Sequence, residues 1–404
     1  MIRRVARRAE WVTLLTFIAL VGTLVAGLWS LRLVPFYRPF LGLDLQNIYA
    51  FHHCPTVQDA GLYVVSGLEC GDVTGRPFRY PPSLYYWFWW VRAFPFSQAA
   101  TLWISVSGLA MAVVGVAWAW MDDRIHRSWR AAGLAIVWLL LLVQFPFVFA
   151  LERGQSDIIP VVLWTVTVIL FVRSRYVLAG GAAGVAVAAK IFPAIALAVV
   201  VVGAVRMNWR VVVLITLGSM VGGLLVSVLW PGDTIRFLTI VLPGLSKVIN
   251  PLTLISHPLR ALAAPYALVT VLGIALFGSW AIAAWRQLSS QPLLVFAGAL
   301  AISTYFSGIS YDYNLITTYP LLLLVAARAL DAESSLAWSI ASVASIITIV
   351  AGRGLFTPSV QLLLQVVTLV AIAWLTALDG SKGDQAHGTL VGKKASIPDD
   401  QSVS

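Results

Sequence analysis

Ten apolar runs follow one another along the chain, at 11–33, 98–121, 131–150, 157–173, 211–230, 265–286, 292–308, 313–330, 336–352 and 358–378. Roughly 17–25 apolar residues in a helix suffice to cross the hydrocarbon of a bilayer, so each run predicts a span. Two stretches break this rhythm. The segment 178–205 is interrupted by Lys190 and Pro193, which predicts a broken hairpin that enters and leaves on one side. The segment 83–95, SLYYWFWWVRAFP, is short and ring-rich. It predicts an element at the membrane interface, where Trp and Tyr partition; lipid-facing side chains are the alternative. The expected fold is all-α: a polytopic membrane protein of about 12 transmembrane helices, ten full spans plus the broken hairpin. Residues 1–378 form one domain with a long loop at 34–80, and the polar residues 379–404 read as a disordered cytoplasmic tail. No internal repeat is evident, which disfavours a transporter built from symmetric halves.

Composition supports this pattern. Of 404 residues, 60% are hydrophobic and 11% charged, and the mean hydropathy is +0.88. Soluble domains carry about 25% charged residues. The net charge of +10 does not point to nucleic acid, because the basic residues sit in short clusters between apolar runs, where they set topology. The opening MIRRVARRAEW is like a signal-peptide n-region, yet 11–31 is long enough to span and no small-residue cleavage site follows, so a retained anchor is expected. Threaded with 83–95 at the interface, the chain puts Arg3, Arg4, Arg7, Arg8, Arg124, Arg127, Arg130, Arg173, Arg175, Arg206, Arg210, Arg286, Arg328, Lys382, Lys393 and Lys394 on the cytoplasmic side, more than half of the 27 basic residues. A full span at 83–95 would turn DDRIHRSWR and RSRY outward, against the positive-inside rule. Both termini are then inside.

This threading collects the unusual polar residues on the outer face. Asp44, Gln46 and Asn47 follow the first span, and Arg76, Arg79 and Tyr80-Pro81-Pro82 precede the aromatic segment. Leu151-Glu152-Arg153-Gly154-Gln155-Ser156-Asp157 joins two spans, and Lys190 with Pro193 marks the hairpin tip. Asn250, His257 and Arg260 follow the span 211–230, and Tyr311-Asp312-Tyr313-Asn314 follows a later one. Carboxylates near hydrocarbon are retained mostly for function, which singles out Asp44. Structural roles compete for several of the others. Pro81-Pro82 can start a helix, Gly154 can end one, Glu152 and Arg153 can be a solvated pair, and Lys190 can snorkel. Asp157 can cap the next helix, and Asp312 the helix after it. Cys54 and Cys70 share one loop; a disulfide is allowed if that loop is extracytoplasmic. A metal site with His52 and His53 is the less favoured alternative, the spacing not being that of a zinc motif.

These segments together resemble the GT-C superfamily of integral-membrane glycosyltransferases, and within it family 87, the polyprenol-phosphate-mannose-dependent mannosyltransferases. The pieces are D-L-x-x-x-Y (Asp44, Tyr49), YPP (Tyr80–Pro82), RGQ-x-D (Arg153–Asp157), the AG…AAK-x-F-P stretch (Ala179–Pro193) and YDYN (Tyr311–Asn314). The first loop, with its Cys pair and GDVTGRPFRYPP, departs from the family pattern.

The resemblance implies an inverting glycosyltransferase of a bacterial plasma membrane, working on the periplasmic or outer face. It would move a hexose, mannose by family, from a polyprenyl phosphate to a hydroxyl of a lipid-linked or polysaccharide acceptor. Asp44 would be the base. Arg153, Lys190 and Arg260, then Arg79 and His257, are candidates for the donor phosphate, since cations stabilise charge on a leaving group. Gln46, Asn47, Tyr49, Tyr80, Gln155, Asp157, Tyr311, Asp312, Tyr313 and Asn314 are the substrate-binding candidates. No cofactor or metal is expected, because side chains can neutralise the leaving group. A transporter or flippase of a lipid-linked sugar is the competing class; an acyltransferase lacks support, as no His-rich motif lies in a membrane-embedded position.

Overall fold

A computed structural model describes residues 42–60, 62–63, 70, 78, 80–122, 128–143, 145–242, 266–306, 312–329, 336–350 and 358–379. All regular elements among them are helical. The run 11–33, Arg76, Arg79, Asn250, His257, Arg260, Tyr311 and the tail beyond Asp379 lie outside these residues, as do Arg3, Arg4, Arg7, Arg8, Arg124, Arg127, Lys382, Lys393 and Lys394 among the basic residues used for the threading.

In chain order, α1 (Leu43–His52) and α2 (Pro55–Ala60) belong to the loop 34–80. The aromatic segment is α3 (Pro82–Trp87) followed by a 3-10 turn, Trp89–Ala93. Two short pieces of this kind cannot cross a bilayer. Tyr85 and Phe88 are buried, Tyr86, Trp87 and Trp90 half-buried, and Trp89 and Phe94 exposed, so the rings are divided between the interior and the surface. Next come α4 (Phe96–Met121), α5 (Ser128–Leu142), α6 (Phe145–Arg153), α7 (Ile158–Val172), α8 (Tyr176–Ala189), α9 (Pro193–Met207), α10 (Trp209–Ser227) and α11 (Pro231–Arg236), which continues into a π turn at Phe237–Val241. The last part holds α12 (Tyr266–Gln287), α13 (Pro292–Ser303), a 3-10 helix at Asp312–Thr318, α14 (Tyr319–Ala329), α15 (Leu336–Ser345) and α16 (Pro358–Asp379).

Among the described residues three helices, Phe96–Met121, Trp209–Ser227 and Val360–Asp379, are long and apolar enough to cross a membrane, and a fourth span arises if α6 and α7 are joined across their 118° bend. Five other apolar helices are shorter. The run 131–150 is therefore not one straight helix as expected. It divides into α5 and α6, with Pro146 in the first turn of α6, where its missing N–H costs nothing. The break expected at Lys190 is present: α8 ends at Ala189, Lys190 is extended (φ −150°, ψ 140°), and Pro193 opens α9.

Close approach of α8 and α10 organises the middle of the molecule. Gly180 and Gly184 on α8 face Gly218 and Gly222 on α10, each pair four residues apart. A Cβ on Gly180 would lie 2.2 Å from the Ile215 carbonyl oxygen, and one on Gly218 would lie 2.1 Å from that of Val177. Lipid tails are as apolar as Leu, so helices in a bilayer associate through such backbone packing rather than through a hydrophobic drive. The other side of α10 exposes Leu217, Met220, Val221, Leu224 and Leu225, a surface suited to lipid. Behind the seam, α13 is buried along its length from Leu294 to Ser303. The Trp164 indole N–H donates to the Phe296 carbonyl at 3.0 Å, tying α7 to that core helix.

The seam should not tolerate a methyl group. Gly184→Ala would put a Cβ against the Ser219 carbonyl, 2.0 Å away on the present backbone. The expected cost is about 1–3 kcal/mol, as for other overpacked sites, visible as a lower melting temperature of the protein in detergent. Unchanged melting would show that the seam does not hold the pair together.

Candidate active site

The site is built where α6 ends. Gly154 adopts a left-handed conformation (φ 66°), which suits glycine. Its N–H reaches the Leu151 carbonyl at 3.0 Å and the Gln155 N–H reaches that of Ala150 at 2.9 Å, the two bonds of a Schellman closure. Gly154 thus does end a helix. A Cβ on it would come 2.9 Å from Leu45 Cβ, because α1 docks there. Gly42, also at φ 66°, precedes α1 and donates its N–H to the Glu152 carbonyl at 2.6 Å. The negative C-terminal end of α6 therefore meets the positive N-terminal end of α1, a favourable alignment of helix dipoles. The Trp103 indole locks the turn from α4 by donating to the Gly154 carbonyl at 3.2 Å.

Asp44 sits in the first turn of α1 and is buried. Arg153 grips it as a fork: Nε donates to Oδ2 at 2.6 Å and Nη2 to Oδ1 at 3.1 Å. Gln155 Nε2 adds a bond to Oδ2. The cation expected on a phosphate is thus held by the expected base. Adjacent residues on a helix do not face each other, so the solvated Glu152–Arg153 pair does not form.

Asp157 forms a second node. It occupies the N-cap position of α7, but its side chain makes no capping bond. One carboxylate oxygen accepts from Lys190 Nζ and the other from Asn314 Nδ2. Lys190 also lies 4.8 Å above the Tyr80 ring, a cation–π contact, and does not snorkel: it is buried. The Tyr80 carbonyl accepts from the Tyr63 hydroxyl at 2.6 Å, and the Ser83 hydroxyl donates to the Ala188 carbonyl at 2.6 Å, holding α3 against the end of α8. Asp44, Arg153 and Gln155 form one node and Asp157, Lys190, Tyr80 and Asn314 a second; the turn between Arg153 and Asp157 joins the two, and five separate parts of the chain contribute to the cluster.

Other expected residues stand elsewhere. The Asn47 side-chain carbonyl accepts from the Tyr85 hydroxyl at 2.9 Å. The Tyr49 hydroxyl donates to the Phe94 carbonyl at 3.3 Å and its ring stacks on His53. Both anchor the aromatic segment. Gln46 lies half-buried on α1, and the backbone of Asp312 and Tyr313 opens the 3-10 helix that delivers Asn314. Cys54 and Cys70 are joined in a disulfide with Cα atoms 4.9 Å apart, so neither is a thiolate ligand for a metal. Beside it His52 donates from Nε2 to the Tyr85 carbonyl at 2.7 Å, and burial, the largest influence, lowers its pKa to about 4.

An apolar cleft of about 350 Å³ opens next to this cluster. Pro81, Pro82 and Ser83 form its end nearest Tyr80; Gly184, Ser219 and Gly223 lie along it, and Thr234, Phe237 and Leu238 flank it. The sequence profile of Glycosyltransferase family 87 matches residues 78–310, more than half of the chain. The chain belongs to glycosyltransferase family 87. No curated protein and no solved structure matches it significantly. The family 87 match takes in the cleft, Tyr80, Arg153, Gln155, Asp157 and Lys190, while Asp44 and Asn314 lie outside it and reach it through hydrogen bonds. Sequence reasoning missed Ser83 and the clamp of Tyr86 on Trp230 and Asp233 (rings stacked at 4.3 Å; hydroxyl to carboxylate 2.7 Å). No local motif announces either one.

Two outcomes follow for this family 87 site. Lys190→Met leaves Asp157 as a buried charge and should cost about 3–5 kcal/mol; adding Asp157→Asn should recover part of that loss. A double variant no more stable than Lys190→Met would show that the pair is not coupled. For His52, the folded-state pKa of about 4 lies below the ordinary histidine value of 6.5, so between those values the unfolded state binds more protons. Its contribution is complete above pH 6.5 and is lost as pH falls towards 4. His52→Gln should flatten thermal melting across that window; an unchanged pH profile would assign the acid loss to other groups.

Proposed function

We propose that this family 87 enzyme is an inverting hexosyltransferase that takes mannose from a polyprenyl-phosphate donor. The acceptor is a hydroxyl of a lipid-linked or polysaccharide glycan at the outer face of a bacterial plasma membrane, reached by the threading of about 12 helices set out above. The observation that carries this reading is adjacency. Two ion pairs, one of them on a buried aspartate, meet across the turn 154–157, and the lysine of the second pair stands between Ala188 and Ile191 of a cleft lined largely by Pro, Gly and aliphatic residues. A long isoprenoid needs the cleft, its phosphate needs cations, and an acceptor hydroxyl needs a base.

In the step itself the acceptor oxygen bonds to the sugar's anomeric carbon as the bond from that carbon to the phosphate oxygen breaks. The hydroxyl proton passes to Asp44 and polyprenyl phosphate leaves with its electron pair. Lys190, beside the end of the cleft, meets the developing phosphate charge. Arg153 stands on Asp44 before donor arrives; an incoming phosphate competes for the same fork. Transfer of Arg153 from carboxylate to phosphate would couple donor binding to release of the base. Such coupling has no use in a flippase, which forms no bond to an acceptor.

Asp44→Asn should reduce transfer of radiolabelled mannose from polyprenyl phosphate by about 10²–10⁴-fold and lower donor KM, because the Arg153 fork is released to the phosphate. Melting of the variant, measured alongside, separates lost chemistry from lost fold. Turnover near wild type in a stable Asn variant would remove Asp44 from the base role. Facilitated movement of intact donor across proteoliposomes, without transfer, would favour the carrier instead.

A further inference from the structure

Glu152 is buried (3% exposed), and among the described residues neither of its carboxylate oxygens has a hydrogen-bond partner. Gln155, in the same turn, gives Nε2 to Asp44, while its Oε1 is likewise buried without a partner. Buried polar groups are nearly always paired, and an exception calls for an explanation. All three orphan atoms are acceptors. They lie at the C-terminal end of α6, where helix carbonyls already make the potential negative. The one cation of that turn, Arg153, is engaged by Asp44. A phosphate set against these three oxygens, rather than on the Arg153 fork, would meet only acceptors, and it has no proton to offer them. The missing partner must bring donors.

We infer that Glu152, with Gln155 Oε1, binds sugar hydroxyls at the transfer site. A hexose presents several O–H donors at spacings that two acceptor side chains three residues apart can share. The described residues gather no group of three His, Cys, Asp or Glu side chains, so a polyol suits these atoms better than a divalent ion, which takes about six or more oxygen ligands. This rests on the transferase reading above. It also divides the site. Lys190, the Arg153 fork and the cleft serve the lipid phosphate, and the orphan oxygens of Glu152 and Gln155 serve the sugar beside Asp44. The orphan carboxylate then costs the free enzyme stability that is regained only on substrate binding.

The test replaces the carboxylate with a side chain of similar size that needs no partner. Glu152→Leu in the full chain should raise the melting temperature in detergent. In membranes that supply native acceptors, with mannosyl polyprenyl phosphate as probe, transfer should fall at least tenfold. A higher donor KM would put the bound hydroxyls on the transferred sugar; a lower rate at saturating donor would put them on the acceptor. Glu152→Gln, which keeps one acceptor oxygen, should lose less than Leu, and the reverse order overturns the inference. Wild-type transfer by the Leu variant overturns it too, as does a melting temperature that falls with activity. If the wild-type protein transfers nothing, the transferase reading itself fails and takes this inference with it, a result distinct from retained transfer by the variant.

Discussion

The site depends on two carboxylate–cation pairs held out of water, Asp44–Arg153 and Asp157–Lys190, with side chains between 0% and 14% exposed. Burying four charges costs several kcal/mol per ion before any attraction repays it, so these pairs are poor devices for stability. They are good devices for geometry. Breaking any one contact strands a charge in a dry place, so the five chain segments that supply the cluster can meet in only one arrangement. The short turn 154–157 carries both pairs, because Arg153 ends α6 and Asp157 precedes α7 across the 118° bend. A straight helix through 146–172 would turn those side chains to different faces. The bend is thus the structural requirement, and Gly154 is the residue that permits it.

Much of this was legible in the sequence. Helical character followed from apolar runs, the break at Lys190 from a charge and a proline in an Ala/Val/Gly stretch, and family 87 from five short motifs in order. The grouping of Asp44, Arg153, Gln155, Asp157, Lys190 and Asn314 followed from placing distant loops on one membrane face. Pairing did not follow. Nothing in the chain says that Arg153 grips Asp44, or that Asp157 forgoes its cap for Lys190 and Asn314, because pairing is decided by tertiary distance and not by spacing. Run 131–150 misled for a related reason: hydropathy averages over Pro146 and sees one span where the backbone makes two helices. Glu152 was hidden by its neighbour, since an adjacent arginine invites a pair that helix geometry forbids.

The family match and the proposed base come from different parts of the chain. Residues 78–310 contain the cleft and its cations, while Asp44 arrives on the loop ahead of them. That loop is held at several points. The Gly42–Glu152 backbone bond and the Arg153 fork fix its start, the Asn47–Tyr85 bond its middle, and the Cys54–Cys70 bridge closes it behind His52. A catalytic group on a loop is useful only if the loop is rigid relative to the scaffold, and each of these ties serves that end.

The glycine seam links fold to chemistry. Gly184 is both a contact point between α8 and α10 and part of the cleft, as are Ser219 beside it and Gly223 one turn beyond. Small residues let two backbones touch, and the side chains they lack would otherwise fill the furrow above the line of contact. The same run of small residues therefore sets the helix pair and leaves the furrow open. The furrow ends at Pro81–Ser83, and the Ser83 hydroxyl is bonded to the Ala188 carbonyl, two residues before Lys190. The helix that supplies the glycines thus ends at the lysine. On the proposed reading, a lipid chain lying in the furrow leads its phosphate to that lysine.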